Sequence, residues 1–263
     1  SNWGHDFRPD YRRINRILED LPDDLPIAAT TATANDRVVE DVTSQLPGLE
    51  PLKGDLVRES LRIQTLEIPS RAERLAWITE YLDDTARSGI IYCLTIDAAE
   101  TVAEVLGSRG HNVLPYHGGM DKDDRREREE ALLDNEVEAL VATNALGMGF
   151  NKPDLGWVIH YQRPPNLIRY YQEIGRAGRA LDEAHAFLFS GPEDDEIAEY
   201  FIEKAFPTPE EFELVLSTLR DSDDPLYKYE LLQEADISWQ AASSCLNMLE
   251  VEDVIVKEDN GFV

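Results

Sequence analysis

Several residue types and patterns are scarce or missing in this chain of 263 residues. It has two cysteines, Cys93 and Cys245, too few for a disulfide framework or a four-cysteine zinc site. We therefore expect a reducing compartment and no zinc. No apolar run is long enough to span a membrane and no signal peptide is present, which favours a cytoplasmic protein without a membrane partner.

Two patterns that would hold nucleotide phosphates and a metal ion are also missing. The sequence has no Gly-x-x-x-x-Gly-Lys-Ser/Thr loop, and its Asp-Glu-Ala-His string, residues 182–185, precedes an apolar strand instead of following one. A carboxylate pair needs a preceding strand to aim it at Mg²⁺, so we interpret 182–185 as a polar turn before the last strand of a sheet. By itself, the chain is therefore predicted to bind no metal and to lack ATPase activity.

Positive charge is scarce as well. Acidic residues number 53 against 25 basic ones, the net charge is −28, and arginine supplies most of the positive charge. One interpretation is a well-solvated acidic surface. The interpretation we favour is a protein from a high-salt cytoplasm, such as that of a halophilic archaeon. There the Debye length is about 3 Å at 1 M salt, so self-repulsion is screened.

What the chain does have is a regular alternation of segments. From residue 61 to residue 192, short apolar runs alternate with helix-like stretches such as 71–84 and 121–133. This order predicts right-handed βαβ units and an α/β fold with a doubly wound parallel sheet. Ligands bind such sheets beyond the carboxyl ends of the strands, and we expect the candidate motifs to lie there.

Residues 169–179 concentrate arginine among small residues. The stretch reads Arg-Tyr-Tyr-Gln-Glu-Ile-Gly-Arg-Ala-Gly-Arg and follows the strand-like run 157–161. Arginine's planar fork suits phosphate oxygens, and small neighbours let a third molecule come close. The alternative is an exposed basic helix end held by surface salt bridges, each of which contributes little.

The pattern Gln172-x-x-Gly-Arg176-x-Gly-Arg179 resembles motif VI of superfamily 2 helicases. The resemblance implies that these residues belong to a catalytic motif whose arginines reach the γ-phosphate of ATP, which another lobe holds with Mg²⁺. Arg179 would be the arginine finger, with Arg176 beside it on the phosphates. Such a finger contributes about 10³–10⁵ in rate, or roughly 4–7 kcal/mol of barrier.

Residues 144–154, directly after a strand predicted to end at Thr143, resemble helicase motif V, in which glycines let the backbone approach nucleotide and DNA phosphate. The implied nucleotide-binding positions are Gly147, Gly149 and Asn151. The implied nucleic-acid contacts are Thr143 and Asn144. The family usually has Asp where Asn151 stands, but Asn can still hydrogen-bond a ribose hydroxyl. The alternative is a glycine-rich loop that closes a βα unit.

The first residues, 1–11, place aromatic side chains, a histidine and an arginine around glycine and proline. Such side chains can stack on unpaired bases, and the alternative is an aromatic mini-core under a loop. The stretch resembles the aromatic-rich loop of RecQ DNA helicases. That resemblance implies single-strand binding by Trp3, His5, Phe7 and Arg8.

Two further segments carry a resemblance. Residues 31–34, after a predicted buried strand at 25–30, match helicase motif III and would relay contacts between lobes. Alternatively, they cap the helix predicted from 35 to 45. Tyr116 and His117, followed by two glycines, are implied to contact a DNA strand, and the alternative is a loop with a satisfied histidine.

The resemblance runs over almost the whole chain but covers only the later half of a helicase motor. It implies a C-terminal remnant of a first RecA-like lobe (1–50), a linker (51–60), a second RecA-like lobe (61–192) and a winged-helix-like module (193–263). We expect a fragment, a split gene or a truncated chain. The last module binds duplex DNA or packs on the core, and its acidity favours packing.

The intact protein is thus expected to be a RecQ-type, ATP-dependent DNA helicase that unwinds 3′ to 5′ and serves DNA repair or recombination. Its expected partners are single-stranded and duplex DNA. One alternative is a non-catalytic nucleic-acid-binding or regulatory module built on a helicase half. Another is a superfamily 2 RNA helicase, against which the aromatic-rich loop argues.

Overall fold

The computed structural model describes residue 22 and residues 26–31, 36–45, 48–54, 58–147, 149–195, 197, 207–222, 225–235, 237–252, 254–258 and 261–262. The chain divides into two compact units, one of residues 55–199 and one of residues 1–54 with 200–263. No helix in the described ranges is long and apolar enough to cross a membrane.

The unit of residues 55–199 contains a sheet of six strands, all parallel, in the order β1-β6-β5-β2-β4-β3. The strands are β1 (Leu61–Glu67), β2 (Gly89–Tyr92), β3 (Val113–Tyr116), β4 (Ala139–Ala142), β5 (Trp157–His160) and β6 (Ala184–Ser190). The helices with described bounds are α1 (Asp36–Gln45), α2 (Arg71–Asp84), α3 (Ile96–Ser108), α4 (Lys122–Leu133), α5 (Leu167–Ile174), α6 (Pro209–Asp221), α7 (Lys228–Ala235) and α8 (Trp239–Val251). The predicted α/β fold with a parallel sheet is confirmed.

The central strands are apolar runs because both of their faces are covered. Every residue of β2, β4 and β5 is buried. Gly89 opens β2 next to Trp157, whose ring would lie 2.1 Å from any Cβ at position 89. A glycine is therefore needed there to seat the largest side chain of the core.

The two faces of the sheet are covered in different ways. On one face, α2 and α3 pack over a core that includes Trp157 and Phe187. The other face is covered by α4, by α5 and by the segment that connects β4 to β5. That segment contributes Leu146, Phe150 and Leu155 to the core. The described residues of this connection form turns instead of a helix. The motif V segment is therefore itself part of the hydrophobic layer.

A buried ion pair holds the residues after β6 against the rest of this unit. The side chains of Arg74 and Asp194 are 1% and 0% exposed, and Arg74 Nη2 lies 2.7 Å from Asp194 Oδ2. Arg74 also donates to the carbonyls of Ile68 and Tyr161, at 2.9 and 2.7 Å. The pair thus connects the start of α2, the carboxyl end of β5 and the segment that follows β6.

The other unit has a smaller core. Helices α6, α7 and α8 pack around buried residues that include Val215, Leu231 and Leu246. A two-stranded antiparallel hairpin follows, formed by β7 (Lys257–Glu258) and β8 (Gly261–Phe262). Helices followed by a hairpin are compatible with the predicted winged-helix-like module, whose boundaries and role stay predictions.

The strand predicted at 25–30 is wrong for the residues that can be compared. Residues 26–31 are exposed and belong to neither sheet. An apolar run becomes a buried strand only when a neighbouring strand pairs with it, and no described strand pairs with these residues. Helix α1 begins at Asp36, close to the predicted start, while residues 32–34 of the motif III match lie outside the described residues.

Candidate functional site

The arginine-rich stretch begins as helix α5. Asn166 caps the helix, since its Oδ1 accepts a hydrogen bond from the backbone N–H of Arg169 at 2.9 Å. The helix ends at Gly175, whose N–H donates to the Tyr171 carbonyl at 3.0 Å. Residues 175–180 follow as tight turns, and we call them the arginine turn because they contain Arg176 and Arg179.

The arginine turn lies at the amino ends of the strands. The N–H of Gly178 donates to the carbonyl of Leu155, two residues before β5, at 2.9 Å. Gly178 has φ +67°, and a Cβ there would lie 2.7 Å from the Cβ of Ala184, the first residue of β6. The expectation that all the motifs lie at the carboxyl ends is therefore wrong for motif VI. Helix α5 leaves β5 at its carboxyl end and returns along the sheet, which carries the arginines to the opposite edge.

Arg176 turns inward, onto the backbone of the motif V segment. Its Nη2 donates to the Gly147 carbonyl at 2.7 Å and its Nη1 to the Phe150 carbonyl at 3.1 Å. Its Nε is buried and has no hydrogen-bond partner among the residues that the structure describes. Nearby, burial raises the pKa of Tyr92, and the charge of Arg176 opposes that rise. Arg176 therefore joins the two motifs, while its predicted contact with phosphate stays a prediction.

Arg179 is exposed and is oriented by a neutral partner. Its Nη1 donates to Oδ1 of Asn151 at 2.5 Å, and its Nε donates to the Gly175 carbonyl at 3.3 Å. Desolvation lowers the pKa of Arg179, and the charges of Arg176 and Arg58 lower it further. Because an amide holds the guanidinium without neutralising it, the charge stays available to an anion.

The two candidate glycines of motif V differ in what they require. Gly149 has φ +97°, a conformation that favours glycine, and a Cβ there would meet nothing within 4 Å. Gly147 is in close contact with its own turn, since a Cβ would lie 3.3 Å from the Asn144 carbonyl. Open space beside Gly149 is what close approach by a ligand would need, and residue 148 between them lies outside the described residues.

The predicted nucleic-acid contacts of the lobe gather at the carboxyl edge. Strands β3 and β4 are neighbours, and the N–H of Thr143 donates to the carbonyl of Tyr116 at 3.0 Å. Tyr116, His117 and Thr143 are buried, however, and of the four only Asn144 is exposed. The structure thus brings the four together and leaves only one of them, Asn144, exposed.

The buried members of this group are held by acidic side chains. The hydroxyl of Tyr116 hydrogen-bonds Glu129, and burial together with that carboxylate raises the pKa of Tyr116 to about 12. Nε2 of His117 lies 3.2 Å from a carboxylate oxygen of Glu100, and its Nδ1 is buried without a partner. The alternative prediction, a histidine with satisfied hydrogen bonds, therefore holds for Nε2 of His117. Among the described residues, Nδ1 has no partner.

Motif V connects the two edges of the sheet. It begins directly after Thr143 at the carboxyl edge and reaches Asn151, which binds Arg179 of the arginine turn. Its apolar residues are fixed in the core, so both ends are held by one packed segment. One packed segment therefore runs from the carboxyl edge to the arginine turn.

Two sets of residues were missed by the sequence analysis. Arg58 and Ser60, before β1, hydrogen-bond the arginine turn, and no local pattern links positions separated by more than a hundred residues. Glu173 is buried between His160 and Arg169, at 2.9 and 2.8 Å. The four-residue spacing of Arg169 and Glu173 on a helix could have revealed the second set.

The remaining predicted residues fall into three groups. Gln172 is exposed on α5. Residues 182–185 lie at the amino end of β6, with Asp182 and Glu183 exposed, as a turn before a strand requires. Trp3, His5, Phe7 and Arg8 lie outside the described residues. In the part of the chain that the structure describes, no three His, Cys, Asp or Glu side chains gather as metal ligands would.

The fold and the joined motifs define a class of protein domain. The family model described as the helicase conserved C-terminal domain matches residues 73–181, which include the motif V segment and the arginine turn. In the solved structure of S. cerevisiae Dbp5 bound to RNA and ADP BeF3, a match with TM-score 0.61 and 22% identity covers 77% of this chain and 55% of that one. This second likeness shows the fold alone.

Curated relatives specify the family. RecQ-like DNA helicase BLM of Xenopus laevis is 38% identical over 197 residues, which are 72% of this chain and 14% of that protein. ATP-dependent DNA helicase RecQ of Bacillus subtilis is 35% identical over 208 residues, 78% of this chain and 35% of that protein. The chain belongs to the RecQ-like superfamily 2 helicases and corresponds to the C-terminal half of their motor. It spans less than half the length of these relatives.

Proposed function

We propose that this chain is the second motor lobe of an ATP-dependent, RecQ-type DNA helicase that unwinds 3′ to 5′. In this proposal, ATP and Mg²⁺ are bound mainly by a separate P-loop lobe. Arg179 reaches the γ-phosphate as the arginine finger, Arg176 and Gln172 complete the motif, and motif V contacts the nucleotide through Gly147, Gly149 and Asn151. The chain by itself hydrolyses no ATP.

The observation that carries the proposal is the charge of the arginine turn. Among the described residues, the hydrogen bonds of Arg58, Arg176 and Arg179 all go to neutral oxygens, namely backbone carbonyls and one amide. Several other arginines pair with carboxylates, as Arg71 does with Glu193, although Arg62 and Arg128 also bond carbonyls. In a chain with 53 acidic and 25 basic residues, three neighbouring unneutralised guanidinium groups favour an anionic ligand such as a triphosphate.

The carboxyl edge supports a nucleic-acid partner in the same scheme. Asn144 and the backbone around His117 and Thr143 would contact one DNA strand, and motif V would couple that contact to the arginine turn. Trp3, His5, Phe7 and Arg8 would stack on the strand. The names of the two relatives described above, both DNA helicases, support DNA as the substrate, whereas a relative from Acanthamoeba polyphaga mimivirus, 37% identical over 211 residues, is named a putative ATP-dependent RNA helicase.

Supplying a P-loop lobe tests the enzyme directly. The chain is mixed with a separately expressed P-loop lobe of a RecQ relative, association is verified by co-purification, and ATP hydrolysis is measured with and without single-stranded DNA. We expect DNA-stimulated hydrolysis that Arg179→Ala lowers by about 10³-fold or more. The matched control is Arg126→Ala on α4, an exposed arginine far in sequence from either motif, which should leave the rate unchanged.

The same experiment separates the proposal from its main alternative. A co-purifying pair that binds DNA but hydrolyses no ATP would favour a regulatory module built on a helicase half. If the Arg179→Ala variant hydrolysed ATP at the same rate as the unmodified chain, Arg179 would not be an arginine finger. Replacing the DNA by RNA of the same sequence distinguishes the RNA helicase alternative.

The salt dependence of affinity tests how an acidic protein binds single-stranded DNA. Phosphate contacts weaken with added salt because their affinity comes from counterion release, whereas base stacking, about 1–3 kcal/mol per base, does not depend on counterions in that way. We expect Trp3→Ala or Phe7→Ala to weaken single-strand affinity at 1 M salt more than removal of any one arginine does. Fluorescence anisotropy with labelled oligonucleotides measures this, and smaller losses for the aromatic variants would contradict it.

A further inference from the structure

Arg58 lies far before the arginine turn in the sequence, but its side chain hydrogen-bonds the backbone of that turn. Its Nη1 donates to the carbonyls of Gly175 and Ala177, at 2.9 and 2.8 Å. These two carbonyls lie on either side of Arg176 along the backbone. A cation at the end of a helix also interacts favourably with the carbonyl dipoles there, so the position suits an arginine electrostatically.

Arg58 is itself held by the turn that leads into β1. The carbonyl of Arg58 accepts a hydrogen bond from the N–H of Leu61 at 3.1 Å, in the turn that leads into β1. Strand β1 pairs with β6 along seven residues. Ser60 adds a second hold, since its Oγ donates to the carbonyl of Gly178 at 3.1 Å. The residues before β1 therefore hold three carbonyls of the arginine turn, those of Gly175, Ala177 and Gly178.

Arg58 also competes with the predicted finger for one acceptor. The carbonyl of Gly175 accepts from Arg58 and, at a longer 3.3 Å, from Nε of Arg179. Without Arg58, this carbonyl would bind Arg179 more strongly and draw the guanidinium back toward the turn. With Arg58 in place, the shorter hydrogen bond of Arg179 goes to the side-chain amide of Asn151, which is exposed.

We propose that Arg58 is a positioning residue for the arginine finger, keeping the turn in the geometry that presents Arg179 to the nucleotide. The proposal rests on the function proposed above. Arg58 acts through the turn and touches no reacting atom. Its loss should therefore lower kcat with little change in the KM for ATP, because most ground-state binding would come from the P-loop lobe.

The activity test compares Arg58→Ala with Arg62→Ala in the pair formed with the P-loop lobe. Arg62 is a matched control because it is also exposed and lies four residues further along, and because its one hydrogen bond among the described residues goes to the carbonyl of Glu59. Hydrogen bonds from charged groups contribute enough to predict a fall in kcat of about 10- to 100-fold for Arg58→Ala. Arg62→Ala should change kcat less than twofold, and Arg58→Lys should recover part of the loss.

A second measurement needs no catalysis. Hydrogen exchange of the chain alone reports the amides of Gly178 and Ala180, which bond the carbonyls of Leu155 and Pro153. Arg58→Ala should speed exchange at these amides about tenfold or more while leaving the amides of β5 unchanged. This pattern would support the positioning role even if the pair hydrolysed no ATP, in which case the proposed function would fail separately.

Three results would overturn the proposal. One is unchanged exchange in the arginine turn of Arg58→Ala. Another is faster exchange throughout β5 as well, which would mean that Arg58 stabilises the whole lobe. The third is an active pair in which Arg58→Ala raises KM and leaves kcat intact.

Discussion

Replacing Asp194 with asparagine should destabilise the lobe far more than an isosteric change usually does. Each carboxylate oxygen of Asp194 accepts two hydrogen bonds. Oδ1 accepts from Nη1 of Arg74 at 3.3 Å and from the N–H of Arg163 at 3.2 Å. Oδ2 accepts from Nη2 of Arg74 at 2.7 Å and from the N–H of Gly191 at 2.8 Å. In either orientation, the asparagine NH₂ group would face two donors.

The magnitude follows from the burial of the pair. Side-chain exposures of 1% and 0% for Arg74 and Asp194 mean that water cannot replace the lost acceptor. Breaking a buried pair by removing one charge costs about 3–5 kcal/mol. At a urea dependence of about 2 kcal/mol per molar, the unfolding midpoint should fall by roughly 1.5–2.5 M.

Urea unfolding followed by near-ultraviolet circular dichroism measures this, because Trp157 is fully buried in the same unit. The variant Arg74→Met should lose a similar amount, and the double variant should lose less than the sum by about 1–3 kcal/mol. Because solvent does not reach the pair, the losses should be the same at 0.1 and 1 M salt. Arg126→Met, which breaks the exposed pair with Glu130, is the control and should cost less than about 0.5 kcal/mol.

A loss below about 1 kcal/mol for Asp194→Asn would refute this reasoning. So would an effect that disappears at 1 M salt, since an exposed pair would behave in that way. Either result would mean that the segment after β6 is held by its apolar contacts and that the ion pair contributes little.

Two further predictions concern the candidate site. Gly178→Ala should cost about 2–4 kcal/mol, because a Cβ would lie 2.7 Å from that of Ala184. Gly149→Ala should cost about 1–2 kcal/mol, because it adds only the strain of a positive φ. Equal urea unfolding midpoints for the two variants would contradict the steric argument. A hydrogen bond from Lys152 lowers the pKa of Asp154, so this contribution to stability is present above the unfolded pKa and is lost as the pH falls through the folded pKa. Asp154→Asn should therefore be less stable than the wild type at neutral pH, and the difference should shrink below about pH 4, as measured by thermal unfolding across pH.

The order of the elements could be predicted because its causes are local. The apolar runs of β2, β4 and β5 indicated strands covered on both faces, and helix α5 begins at a capping Asn166 that hydrogen-bonds its first turn. The arginine stretch was found through its residue types alone. The buried strand predicted at 25–30 failed because an apolar run does not by itself supply a pairing partner.

The sequence by itself therefore determined the α/β class, the parallel sheet and the family, since each depends on residue type and spacing along the chain. Only the tertiary structure decided which edge of the sheet carries the arginine turn, because helix α5 reverses the direction of the chain. It also decided that Tyr116 and His117 are buried and that Arg58 binds the carbonyls beside Arg176. Contacts between residues more than a hundred positions apart depend on how strands pair and pack, and no local pattern encodes them.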